Sequence, residues 1–203
     1  MKELDTDVLI IGSGLVGLVA AHCLLSLKYK VTIIDKKKFK SSNVLLKDIR
    51  TVAVSEGSKQ FLESLSLWRH LKKYAEPIKT IKVYDRVPKN KILFSNNEND
   101  QKLGYVIENS KFSDVLRNKL VLKDNINILY NSSVKQISLN KEFTKTHLNN
   151  KIINAKLIIA ADGKNSTARK MVGNKVYKKQ YPESAVVLNF FHEKNLMNTA
   201  YEI

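Results

Sequence analysis

Val8-Leu9-Ile10-Ile11-Gly12-Ser13-Gly14-Leu15-Val16-Gly17 is the stretch on which the fold turns. A short apolar run stopped by glycine reads as a buried strand. The mostly apolar residues from Leu15 to Leu27 then read as a buried helix. Lys30-Val31-Thr32-Ile33-Ile34 is a second strand, closed by Asp35. Strand, helix and strand together have the size of one parallel crossover unit. Gly12 to Gly17 fits G-x-G-x-x-G with a strand before it, a helix after it and an acid at the second strand's end.

Each residue of that turn has a physical task. Gly12 permits the tight exit from the strand, and Gly14, lacking a side chain, lets backbone approach a pyrophosphate. Gly17, helped by Ala21 one turn on, lets the helix lie close to the sheet. The helix start offers N–H groups and partial positive charge to phosphates. Asp35 lies 23 positions after Gly12, where its carboxylate can accept hydrogen bonds from both ribose hydroxyls of an adenosine. It would repel a ribose 2′-phosphate, so NADP is not expected in this site. Lys36, Lys37 and Lys38 read as a solvated loop.

The whole chain, 203 residues with 43% hydrophobic and 27% charged residues, can bury a core without staples. A single cysteine, Cys23, excludes a disulfide framework and a Cys-based zinc site, and fits a reducing compartment. Val8 to Leu27 is uncharged and as long as a membrane span, but three glycines, His22 and Ser26 interrupt it. Glu3, Asp5 and Asp7 beside only Lys2 do not make the basic start of a signal peptide. A cytoplasmic protein is expected. The net charge of +16 is spread along the chain among asparagines, which is a compositional bias. No aromatic RNA-binding signature accompanies it, so nucleic acid is not an expected partner.

Further on, Ser58 to Leu71 carries Phe61, Leu62, Leu65, Leu67, Trp68 and Leu71 at helical spacing. Ile78 to Tyr84 and Lys91 to Phe94 read as strands, with a hairpin-end loop at Asn96 to Asp100. Lys111 to Leu122 reads as a helix and Asn125 to Ile137 as strands. Lys156 to Ala161 is a buried strand running into Asp162-Gly163, followed by a short helix at Thr167 to Val172. Ser184 to Phe191 reads as a final strand. No histidine sits in ligand spacing; His22 reads as a helix residue near the core.

Taken together, these features resemble the flavoprotein aromatic hydroxylases, most closely the ubiquinone-biosynthesis monooxygenases of the UbiH/UbiF type. The likeness rests on the glycine turn with Asp35, where that family more often has Glu. It rests also on Asp48-Ile49-Arg50-Thr51-Val52-Ala53-Val54-Ser55 and on Gly104-Tyr105-Val106-Ile107-Glu108-Asn109. Its most specific part is Ala161-Asp162-Gly163-Lys164-Asn165-Ser166-Thr167-Ala168-Arg169, which matches A-D-G-x-x-S-x-x-R.

The resemblance implies an α/β fold: a Rossmann-like FAD-binding domain plus an incomplete β-sheet substrate domain. The implied segments are 1–75 and 109–175 for FAD, and 76–108 and 176–203 for substrate. It implies FAD, with NAD(P)H as reductant and O2 as co-substrate. Arg50 would meet the flavin side of the pyrophosphate, Asn109 the phosphate or ribitol, and Asp162 and Gly163 the pyrophosphate. No catalytic residue and no metal site are expected. The substrate would be a prenylated phenol or benzoquinol, which suggests peripheral contact with the inner face of a membrane.

Members of that family carry a second, Gly-Asp motif in a C-terminal half that Ile203 does not reach. A fragment, a split gene with a C-terminal partner polypeptide, and a degenerate product all fit. In each, weak FAD binding and little turnover by the isolated chain are expected. The alternative functions are a non-catalytic remnant and an NAD-dependent reductase that uses only the first strand–helix–strand unit.

Overall fold

The computed structural model describes residues 2–37, 50–84, 91–95, 102–140, 142–190, 192–194 and 196–202. Lys38, Asp48, Ile49, the expected loop Asn96 to Asp100, and Phe191 lie outside them. In chain order the strands are β1 Lys2–Ile11, β2 Val31–Ile34, β3 Thr51–Ser55, β4 Glu76–Ile78, β5 Thr80–Tyr84 and β6 Lys91–Ser95. They continue as β7 Gly104–Glu108, β8 Ile126–Leu129, β9 Gln136–Leu139, β10 Thr144–His147, β11 Lys151–Ala160 and β12 Thr199–Glu202. The α-helices are α1 Leu15–Ser26, α2 Glu56–Ser64, α3 Trp68–Leu71, α4 Asn109–Leu120 and α5 Thr167–Met171. They form two compact units, one of residues 1–46 and 116–184, the other of 47–115 and 185–203.

The first unit is a six-stranded sheet in the order β8-β2-β1-β11-β10-β9. β8, β2, β1 and β11 run parallel, and β10 and β9 turn antiparallel. Strands in the middle of a parallel sheet are covered on both faces, which is why Val31 to Ile34 and Val8 to Ile11 are buried throughout and, Thr32 apart, apolar without alternation. β1 begins at Lys2, well before the apolar run at Val8, because its polar half pairs with β11 from Lys2↔Lys151 onward. There Asn154 Nδ2 donates to Glu3 Oε2 (3.1 Å) and Asp5 Oδ1 (2.9 Å), and Lys156 Nζ to Asp7 Oδ1 (2.8 Å). Leu18, Ala21 and His22 of α1 are buried, and His22 Nε2 donates to Leu116 O at 2.9 Å. Burial pushes the imidazole's pKa down, so the ring is neutral and ties α1 to the carboxyl half of α4.

The second unit holds two small sheets, β3-β7-β4 and β12-β5-β6. The helix expected from Ser58 to Leu71 divides in two. Ser55 Oγ caps α2 by accepting the Ser58 N–H at 3.2 Å. Ser66 then enters the left-handed region at φ 58°, and the Leu67 N–H returns to Leu62 O at 2.9 Å. The break lets Leu62, Leu67, Trp68 and Leu71 be buried together, with Trp68 edge-on to Tyr105 at 4.8 Å. β3, α2 and α3 fall in this unit, apart from the 1–75 segment in which they were expected, because β3 pairs with β7 from Thr51↔Glu108 to Ser55↔Gly104.

The expected strand from Ser184 to Phe191 is a correction: residues 184–190 are exposed and belong to no strand. An apolar run becomes a strand only where a neighbour takes up its backbone N–H and C=O groups. The strand beside β5 is β12 instead, parallel from Thr199↔Thr80 to Glu202↔Val83. Among the described residues no helix is long and apolar enough to cross a membrane.

Candidate functional site

The carboxyl ends of β1, β2 and β11 meet at the glycine turn. The Gly12 N–H donates to Ile34 O at 2.8 Å, and the Ala161 N–H to Ile11 O at 2.8 Å. Gly12 has φ +108°, and a Cβ there would collide with Ala161 O and stand 2.9 Å from Asp162 N. A Cβ on Gly17 would collide with Gly12 O, so the first turn of α1 packs onto the carbonyl of the strand exit. At Gly14 a Cβ would meet nothing within 4 Å. Gly14 caps α1 without a side-chain hydrogen bond, and the first turn holds no acid. Among the described residues no side chain caps the helix start, which presents its first N–H groups and positive end outward.

Asp35 closes the turn from the other side. Its Oδ2 accepts the Ser13 N–H (2.8 Å) and the Ser13 hydroxyl (2.6 Å), and its Oδ1 accepts the Lys37 N–H (2.8 Å). A carboxylate has about four acceptor sites, so room for one ribose hydroxyl remains on Oδ1 where the sequence reading expected two. Burial raises the Asp35 pKa, but the Ser13 and Lys37 hydrogen bonds outweigh it and hold the group below the ordinary 3.8. A lowered folded-state pKa contributes stability that is present above 3.8 and is lost as pH falls through the folded value. The urea midpoint of Asp35→Asn is expected to lie below that of wild type at pH 7, the gap closing below pH 3.8. A gap that stays constant with pH would contradict this.

Asp162 and Gly163 follow β11. Asp162 Oδ2 accepts the Thr167 N–H (2.6 Å) and Ala168 N–H (3.1 Å). Ser166 Oγ accepts the Arg169 N–H at 3.0 Å. Asp162 thus fixes the start of α5, while its backbone N lies against Gly12. Gly163 has φ +84°. Gly12, Gly14, Gly17, Asp35, Asp162 and Gly163 all belong to the first unit. Arg50 and Asn109 belong to the second, side by side, the Asn109 N–H donating to Arg50 O at 2.8 Å.

Three residues of the site escaped the sequence reading. Ser13 holds Asp35 as described. Arg117 of α4 donates from Nη2 to Ser13 O at 3.3 Å. Tyr130, just past β8, interacts electrostatically with Arg117, and burial raises its pKa. Ser13 lay inside the motif and could have been suspected. Arg117 is 104 positions from its partner, and no local pattern announces such a pairing.

Turn, open helix start and acid-tipped second strand define a dinucleotide-binding Rossmann-like domain. They fit FAD: Gly14 opens onto empty space, the donors of α1 are uncapped, and Asp35 keeps one acceptor position. Residues 5–199 match the FAD binding domain family, and the chain belongs to it. FAD is the cofactor of that family's site. The mitochondrial ubiquinone biosynthesis monooxygenase COQ6 of Dictyostelium discoideum is 29% identical over 92% of this chain and 43% of its own length. Ubiquinone hydroxylase UbiM of Neisseria meningitidis is 26% identical over 98% of this chain and 45% of its own. The 3-demethoxyubiquinol 3-hydroxylase of Escherichia coli is 25% identical over 93% and 49%. The chain thus spans a little under half the length of these relatives. Among solved structures, p-nitrophenol 4-monooxygenase PnpA from Pseudomonas putida superposes with a TM-score of 0.72 at 19% identity, over 85% of this chain and 44% of that one, a likeness of fold.

Proposed function

We propose that this chain forms the FAD-holding part of a monooxygenase that hydroxylates a prenylated phenol or benzoquinol. The observation that carries the reading is the meeting of Gly12 with the Ala161-Asp162 backbone. It joins two motifs 150 positions apart at the carboxyl ends of adjacent parallel strands, and an NAD-dependent reductase that uses only the first strand–helix–strand gives no reason for the second motif. The names of the relatives supply the substrate class.

FAD, when bound, supplies the chemistry: two electrons from NAD(P)H reduce one O2, one oxygen atom entering the ring and the other leaving as water. The chain's residues bind and orient. Gly14 lets the diphosphate reach the first N–H groups of α1. Asp35 accepts from the adenosine ribose, and Asp162 holds the start of α5 behind the turn. Arg50 and Asn109 serve the flavin side, where a guanidinium suits a diphosphate. The remaining walls of the substrate site come from further polypeptide, equivalent to what the relatives carry beyond the matched part. A lipid-tailed substrate and a net charge of +16 favour work at the cytoplasmic face of an anionic membrane.

The test is uptake of FAD by the purified chain. Titration carried to high FAD concentration, as the weak binding expected of the chain alone requires, is expected to quench flavin fluorescence and sharpen the visible absorbance bands, approaching about one FAD per chain. A preparation that ignores added FAD, or that binds NADH tightly and FAD not at all, overturns the reading.

A further inference from the structure

Arg117 lies outside every motif discussed so far, yet it touches the glycine turn. Its Nη2 reaches Ser13 O. The neighbouring Leu116 carbonyl is held by His22 at 2.9 Å, and Tyr130 interacts electrostatically with the guanidinium. Ser13 is gripped on both sides, with its N–H and hydroxyl on Asp35 and its carbonyl on Arg117.

The consequence follows from peptide geometry. The Ser13 carbonyl and the Gly14 N–H belong to one planar peptide unit, and no peptide bond in the described residues is cis. In a trans unit the two point in opposite directions. A guanidinium that draws the carbonyl to one side therefore aims the Gly14 N–H to the other. Gly14 is also where a Cβ would meet no protein atom. We propose that Arg117 is a positioning residue that orients the Ser13–Gly14 peptide so that the Gly14 N–H faces the diphosphate of the bound nucleotide. The proposal rests on the FAD reading above. It assigns the orientation of the turn to a side chain of α4 as well as to the glycines.

Arg117→Met and Arg117→Lys test it in the full chain, with FAD, ADP and adenosine as probes. Fluorescence serves for FAD, calorimetry for ADP and NMR titration for adenosine. Losing a partly buried charge-assisted hydrogen bond is expected to weaken FAD and ADP about tenfold in Arg117→Met. Lysine keeps the charge without the fork and is expected to lose only about threefold. Adenosine has no diphosphate, so its affinity is expected to stay within about twofold in both variants. A residue with a merely structural role would weaken adenosine and ADP alike, and that result overturns the proposal. So does ADP binding that is unchanged in Arg117→Met. Should Arg117→Met fail to fold, the contrast between ADP and adenosine in Arg117→Lys decides by the same criterion. Wild type that takes up neither FAD nor ADP overturns both this inference and the function beneath it, whereas FAD binding that ignores Arg117 overturns this inference alone.

Discussion

Gly12→Ala is expected to cost about 4 kcal/mol of stability, roughly half contributed by backbone strain and half by overpacking. At φ +108° an L-residue lies well past the left-handed well that even asparagine tolerates. The added methyl would also point at backbone, at Ala161 O and Asp162 N, where no side-chain rotation can give way. Relief requires β1 and β11 to part at their carboxyl ends, and the Ile11–Ala161 hydrogen bond lies between them. Against the ~5–15 kcal/mol typical of a domain, such a loss is large. Gly163→Ala is the internal comparison. It too has a positive φ, +84°, but its Cβ would meet nothing within 4 Å. Strain alone remains, about 1–2 kcal/mol. Urea unfolding followed by far-UV circular dichroism separates the two. Equal midpoints for both variants would show that the packing of Gly12 against β11 does not constrain the turn.

The pair Gly12 and Asp162 also shows what a sequence can carry. Both motifs were legible as text because each has a local cause: an apolar run must stop, and a turn must follow. Their adjacency was not local. It comes from the parallel register Ile11↔Ala160, set by two strands 149 positions apart. The same division runs through the fold. β2 and the apolar half of β1 announce themselves, since burial on both faces favours a near-continuous apolar run, broken here only by Thr32. β10, Thr-Lys-Thr-His, carries no such run and was missed; it is a strand because β11 and β9 flank it. Ser184 to Phe191 has the right composition, yet its described residues 184–190 are exposed and form no strand. In the site, Asp35 was read correctly as the acid at the end of the second strand. The hydroxyl of Ser13 that occupies half of its carboxylate was not foreseen, since a motif written with x at that position hides what x does.

Gly14→Leu is expected to reduce FAD affinity by about a hundredfold or more while leaving the fold in place. The two halves of that expectation have separate physical grounds. Gly14 has φ −70° and ψ 178°, extended backbone open to any residue, and its Cβ vector meets no protein atom within 4 Å. Leucine at a helix N-cap is inferior to glycine by about 1 kcal/mol or less, and nothing else in the turn is disturbed. The space the side chain enters is the space above the first turn of α1, where the uncapped N–H groups can meet a diphosphate. A leucine there fills the approach and replaces close backbone hydrogen bonding by contact with a bulky apolar group. An affinity loss of that size corresponds to about 2.7 kcal/mol, which one or two lost charge-assisted hydrogen bonds supply. Flavin fluorescence titration measures the first half and the urea midpoint the second. FAD uptake unaltered by Gly14→Leu would mean that the open space beside α1 is not where the diphosphate sits, and the assignment of this turn would fail even though the fold stood.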